Sequence, residues 1–418
     1  MPPVAESSLE VRADFPIFSR RFDGRPLIYL DSAATSQKPE AVISALADHL
    51  RNHNANVHRS PHLLGEEATQ MYEDARARSA RFVGAPDAST IVFNRGSTES
   101  LNLVAHGWAR KFLREGDEIL ISELEHHSNI VPWQLATRDT GAVLRYIPIT
   151  DDGQLDLSEL PSLLTEKTKL VAISGMSNVL GTVPPIRTIA DAAHASGALL
   201  CVDGAQLVAH APVDVAELDC DFLAFSGHKM LGPTASGGLY ARRELLEAMD
   251  PFMGGGEMIS EVRPEMSTWN EVPWKFEGGT MNIAQEIGLA AACDYLDELG
   301  MDNVRAHEED VTGYAIERLL EAGVRLFGPA DVRDAAVRYV REHLDLVAAE
   351  RIVPRARQLG VRHGPFVPRV LVVVEDDFLV EVFERHSRSL RRGDLHERNR
   401  AAAVCSASTR ASTSSRSL

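Results

Sequence analysis

Between about residue 85 and residue 245, short apolar runs alternate with stretches of helical periodicity, and this alternation leaves few architectures open. The runs are TIVF (90–93), EILIS (118–122), LRYIPI (144–149), KLVAIS (169–174), LLCVD (199–203), FLAFS (222–226) and GGLYA (237–241). They predict an α/β fold with a mostly parallel seven-stranded sheet sandwiched by helices. In open sheets of this kind ligands bind beyond the carboxyl ends of the strands. The polar motifs of this chain fall at those ends.

Around this block, LIYLDSAAT (27–35) reads as a strand entering a small-residue turn, and Pro39 opens a helical stretch to about Arg51. Two Gly-rich loops, MGGGEM (253–258) and FEGGTMN (276–282), lead to a helix from about Ile283 to Leu299. At 418 residues the chain exceeds the size at which one hydrophobic core stops growing, roughly 250–300 residues. The expected division is an N-terminal segment 1–24, a large domain 25–282, a smaller C-terminal α+β domain 283–400 and a disordered Ser-rich tail 401–418.

Composition narrows the class of partner. No apolar run is long enough to cross a bilayer, and MPPVAESSLEVRADF lacks a secretory pattern, so a cytoplasmic protein without a membrane partner is expected. A formal charge of −17 disfavours nucleic acid, whose backbone demands clustered cations. That charge is uneven. Residues 331–418 hold 16 Arg, no Lys and 12 acidic residues, net +4, against −21 for residues 1–330. Cys201, Cys220, Cys293 and Cys405 form no C-x-x-C pair, which argues against a zinc site or a disulfide framework. Cys201 and Cys220 sit in apolar surroundings and are expected to be buried and inert.

The motif that carries most chemistry is VDGAQ (202–206) followed by SGHK (226–229), each closing an apolar run. Alone, an Asp after a strand is usually a cap and a Lys is usually solvated surface. At this spacing and in this context the pair suits a pyridine cofactor. Asp203 would face the ring nitrogen, and Lys229 would supply the amine for a Schiff base and then move the Cα proton of a substrate. Ser226 and His228 can donate to a cofactor phosphate, and Gln206 can reach the phenolic oxygen. In NRGSTESLNLVAHGW (94–108), Ser97 and Thr98 open a helix whose exposed N–H groups suit a phosphate, though Ser97 and Glu99 also read as ordinary caps. The adjacent histidines of ELEHHSNIVPWQ (123–134) could bind zinc, but no third ligand stands at metal spacing, so stacking of His126 on a flat ring is expected. Asn178, in SNVLGTVPPI (177–186), could bond a substrate carboxylate or a cofactor oxygen, or simply form a turn.

Taken in order, YLDSAATSQKP, NVHRSPHLLGEEAT, GSTESLNLVA, EHHSNIVPWQ, SNVLGTVPPI, VDGAQ, SGHKMLGPTASGGLY, GGGEMI and FEGGTMN resemble the motifs of the class V aminotransferases, fold-type I enzymes that use pyridoxal 5′-phosphate (PLP). Within that family they resemble the Suf-type (group II) cysteine desulfurases and selenocysteine lyases, over about residues 12–330. The resemblance implies a homodimer in which Thr280 serves the neighbouring subunit's cofactor phosphate. It also implies that His126 assists proton transfer, and that L-cysteine, or L-selenocysteine, is converted to L-alanine with sulfur passed to an acceptor protein of iron–sulfur assembly. The family's carboxy-terminal R-x-G-H-H-C-A segment is not matched: Arg362-His363-Gly364 is followed by Pro365 and Phe366, and no cysteine lies between Cys293 and Cys405. Nothing near Cys405 would lower its thiol pKa.

Overall fold

A computed structural model describes residues 9–323 and 326–329, with the backbone of Arg369–Val374 and Phe378–Phe383. All seven apolar runs form strands: β1 Ile91–Phe93, β2 Glu118–Ser122, β3 Val143–Ile147, β4 Thr168–Ser174, β5 Leu199–Asp203, β6 Phe222–Ser226 and β7 Gly237–Ala241. They make one sheet in the order β1-β7-β6-β5-β4-β2-β3. The five strands from β2 to β6 are mutually parallel, whereas β7 runs antiparallel to both β1 and β6. Pro148, which has no N–H to donate, follows the last residue of β3.

Successive residues of each strand enter opposite cores. Leu120, Val171, Ile173, Leu200, Val202, Leu223 and Phe225 belong to one buried cluster. Their neighbours Ile119, Ile121, Leu170, Ala172, Cys201, Phe222 and Ala224 belong to the other. Both faces of the central strands are therefore covered, which is why their middles are apolar, whereas the edge strand β3 leaves Val143 and Tyr146 exposed.

The helices that matter for the site are α1 Glu40–Asp48, α2 Leu63–Phe82, α3 Ser97–Val104, α4 Val131–Thr140, α5 Ile186–Ala195, α6 Leu207–His210, α7 Ile283–Leu299 and α8 Met301–Glu321. The α7 helix has the predicted bounds and packs on α1 and α2. Among the described residues no helix is long and apolar enough to cross a membrane, and no group of His, Cys, Asp or Glu is arranged to hold a metal.

One expected strand is absent. Residues 27–35 run extended into a turn without joining a sheet. The hydrogen bonds of this segment go elsewhere: the Leu27 N–H donates to the Arg20 carbonyl, Tyr29 Oη donates to the Thr35 carbonyl at 2.6 Å, and the Ser36 N–H donates to the His228 carbonyl. The segment's own bonds are thus largely local, and only its end, at Thr35 and Ser36, is tied to the turn beyond β6.

The chain divides into two compact units, Met1–His343 and Leu344–Leu418. In the second, β8 (Arg369–Val374) pairs antiparallel with β9 (Phe378–Phe383). The disordered tail expected at 401–418 lies outside the described residues, as does Cys405.

A buried ion pair ties the FEGGTMN loop to the sheet. Arg76 of α2, 1% exposed, donates through Nη1 and Nη2 to the two carboxylate oxygens of Glu277 at 2.6 and 2.9 Å. Glu277 also accepts the Phe93 N–H of β1 and the Tyr72 hydroxyl, and Arg76 donates to the Ile91 carbonyl. Each charge is thus paired and hydrogen-bonded, the condition under which a buried pair is tolerated. Replacing Glu277 by Ala would strip the buried guanidinium of its bidentate partner and leave it only Glu73, whose Oε2 lies 2.9 Å from Arg76 Nε. The expected cost is about 3–5 kcal/mol, read as a lower midpoint of urea unfolding.

Candidate active site

At the carboxyl ends of β4, β5 and β6 lies a cavity of about 340 Å³. Asp203 is the last residue of β5, Ser226 the last of β6, and Lys229 ends the single turn Gly227–Lys229 that follows. The structure brings together nine of the ten residues singled out above: Ser97, Thr98, His126, Asn178, Asp203, Gln206, Ser226, His228 and Lys229 all line this space. Thr280 does not. It lines a separate cavity of about 250 Å³ with His58, Arg59, Glu257 and Trp274. Sequence reasoning missed Ala33, Ala34, Ser128, Ser174, Met176 and Ala205 as lining residues. Ser174 was within reach, since it ends an apolar run as Asp203 and Ser226 do.

The charges of the cavity act on one another. Burial lowers the pKa of Lys229, and the negative charge of Asp203 partly restores it. Burial raises the Asp203 carboxyl, opposed by the Ala205 N–H, which donates to Oδ1 at 3.1 Å, and by the positive Lys229. His228 is lowered by burial, then by Lys229 and Lys38. A lysine and an aspartate at the ends of adjacent strands are therefore within electrostatic reach in a poorly hydrated space.

The turn that carries Lys229 is held from outside the sheet. The His228 carbonyl accepts from the Ser36 N–H, Thr35 Oγ1, Ser36 Oγ and Lys38 Nζ, at 3.0, 3.0, 3.1 and 3.0 Å. Ser36 Oγ in turn accepts the Leu231 N–H. The DSAATSQK segment thus clamps the residue before Lys229, and burial brings the Lys38 pKa down to about 8.

At the start of α3, Gly96 has φ +118°, and a Cβ there would approach Ser226 Oγ to 2.8 Å. Only glycine lets the loop pass so close. The Ser97 N–H donates to Ser226 Oγ at 2.8 Å, and Thr98 Oγ1 lies 2.7 Å from Ser128 Oγ. Main-chain and hydroxyl donors thus crowd the first turn of α3, with His228 and Lys229 on the same cavity, as an anion would require.

His126 precedes the short turn His127–Asn129. Its Nδ1 accepts the Ser128 N–H at 3.2 Å. A backbone N–H can only donate, so the neutral ring carries its proton on Nε2. Burial lowers the His126 pKa, with smaller contributions from Lys229 and His127. Behind it, the Glu125 carboxylate accepts from Ser122 Oγ, from Asn129 Nδ2 at 2.6 Å and from Ser174 Oγ at 2.8 Å. One carboxylate so joins the ends of β2 and β4 to the loop that carries His126. The three described cysteines, Cys201, Cys220 and Cys293, are buried free thiols with pKa values raised by burial, and none lines the cavity.

Sheet order, strand-end lysine and strand-end aspartate define the α/β architecture of the fold-type I PLP-dependent transferases. Residues 28–372 match the family described as Aminotransferase class-V, a match that runs past about residue 330, where the sequence resemblance was expected to end. A probable cysteine desulfurase of Halalkalibacterium halodurans is 51% identical over 321 residues, 77% of this chain and 79% of the relative. A cysteine desulfurase of Haloferax volcanii is 46% identical over 366 residues, 84% and 85% of the two chains. The crystal structure of a cysteine desulfurase from Escherichia coli superposes with a TM-score of 0.74 at 39% identity, covering 83% of this chain and 85% of that one. The chain belongs to the class V aminotransferase family.

The setting of Glu125 has a consequence for pH. Burial raises its pKa from 4.5 to about 7 against the pull of its donors. Between those values the folded chain binds more protons than the unfolded one, so this group's contribution to stability is present below pH 4.5 and is lost as pH rises through about 7. Glu125→Gln, which never ionises, is expected to gain stability relative to wild type over that window. Thermal melts of both proteins at a series of pH values measure the gap.

Proposed function

We propose that this chain is a PLP-dependent cysteine desulfurase that converts L-cysteine to L-alanine and passes the sulfur to an acceptor protein of iron–sulfur cluster assembly. The observation that carries the reading is the mutual electrostatic influence of Lys229 and Asp203 inside one cavity. The names of the relatives at 46–51% identity support the choice of reaction.

The residues present fit the cofactor. Asp203 is a desolvated carboxylate suited to hold a proton on a ring nitrogen, and the donors at the start of α3 suit a phosphate. When bound, the cofactor supplies a pyridine ring that takes up the electron pair left at the substrate Cα. Lys229 Nζ would hold it covalently. A lysine whose ammonium form is disfavoured presents a neutral amine nearer neutral pH than a solvated lysine does, and the same nitrogen can move the Cα proton. Ser97, Thr98, Ser226 and His228 would hold the phosphate, with Gln206 at the phenolic oxygen and Asn178 at the substrate carboxylate or the cofactor oxygen. His126 would cover the ring and offer its Nε2–H as a donor to a leaving or returning proton's partner. Thr280, which lies outside the main cavity, would serve the phosphate site of the partner subunit in a homodimer. The reaction is read as cytoplasmic, with neither a membrane nor a nucleic acid as partner.

One observation favours a second reading. None of the three described thiols faces the cavity, so a sulfur acceptor on the chain would have to be Cys405, outside the described residues. Selenocysteine lyase chemistry depends less on a protein thiol and suits the same site.

The direct assay supplies the protein with PLP, a reductant and either L-cysteine or L-selenocysteine. Sulfide and alanine in equal amounts are expected from cysteine; turnover of selenocysteine alone supports the second reading, and keto acid without sulfide overturns both. Lys229→Ala is expected to abolish cofactor trapped covalently by borohydride. Covalent cofactor surviving that change would overturn the assignment.

A further inference from the structure

Gln206 is buried, lines the cavity beside Asp203, and stands four residues before His210 at the other end of α6. Its Nε2 donates to the Ala33 carbonyl at 2.9 Å, and its Oε1 lies 3.3 Å from His210 Nε2. His210 Nδ1 lies 2.7 Å from Oε1 of Glu308, on α8. His210 is 8% exposed and does not line the cavity.

Donor and acceptor types fix every orientation in this chain of contacts. The Ala33 carbonyl can only accept, so the nitrogen of the amide must face it and the oxygen must face His210. An amide oxygen can only accept, so His210 Nε2 must carry a proton. A further proton is then shared between His210 Nδ1 and the Glu308 carboxylate. Turned over, the amide would set oxygen against oxygen at Ala33 and would require His210 to move its proton from Nε2 to Nδ1. One amide N–H goes to Ala33, and the second is left as a donor.

We infer that His210, held by Glu308, is a positioning residue that fixes the Gln206 amide with its nitrogen as the donor presented to a ligand in the cavity. The inference rests on the cofactor reading above. It makes Glu308, 98 residues away from His210 in sequence and on another helix, a determinant of cofactor binding.

The test is equilibrium titration of the apoprotein with PLP, followed by intrinsic fluorescence, with far-UV circular dichroism to verify folding. Gln206→Ala is expected to weaken binding about tenfold, the loss of one hydrogen bond to the ligand. His210→Phe and Glu308→Ala are expected to fall several-fold, whereas Glu308→Gln, whose amide can still donate to Nδ1, stays within about twofold of wild type. The double variant Gln206→Ala with His210→Phe should bind no more weakly than Gln206→Ala alone, because His210 acts through the amide. A merely structural role would give additive losses, and additivity overturns the inference, as does unaltered binding by both His210→Phe and Glu308→Ala. Glu308 is partly exposed, so its variants keep the test open if His210→Phe fails to fold. Wild type that binds no PLP would overturn the cofactor reading and this inference with it; wild type that binds, with additive losses, overturns the inference alone.

Discussion

A parallel sheet buried on both faces is the constraint from which the site follows. Parallel strands all finish on the same side, and helices over both faces leave the edge beyond their carboxyl ends as the place where polar side chains can gather. Asp203 pairs in register with Ala224, two residues before Ser226, so the turn that starts there begins beside the carboxylate. Residues 26 positions apart in sequence thereby meet without any long-range contact of their own. The two apolar clusters hold that register, since a slip by one residue would exchange their members.

Around this frame, polar groups are used to anchor loops more than to touch a ligand. Four donors fall on the His228 carbonyl, three acceptor bonds gather on Glu125, and Glu277 binds a buried guanidinium while taking the Phe93 N–H. Each anchor joins a strand end or helix to a loop that is far away in sequence. The cost of desolvating these groups is offset by the number of bonds each makes, and their geometry becomes stiff as a result.

What the sequence disclosed follows the range of the interactions involved. The seven strands were legible because their signal is local: an apolar run between polar motifs. Nine of the ten expected residues fall on one cavity because they sit next to strand ends, where the fold class itself places ligands. The segment 27–35 was misread as a strand because its composition is that of one, while its bonds are local turns and a tie from Thr35 to His228, 193 residues later. Glu125 and the His210–Glu308 contact carried no local mark, since a carboxylate in a loop or a histidine on a short helix is ordinary until its neighbours are known. The Arg-rich, Lys-free stretch beyond residue 330 is visible in composition alone.

The reversed strand β7 has an effect on how the protein comes into being. It is the sole sheet neighbour of β1, and the loop from Asn94 to Ser97 is seated against it through the bond from the Asn94 N–H to the Gly237 carbonyl. During synthesis β1 emerges from the ribosome well before β7, with no strand to join. The Asn94–Ser97 loop, made early, is thus placed late, and a nascent chain cannot complete the cavity until residue 241 has been added. The cavity is consequently completed only after more than half of the 418-residue chain has been made.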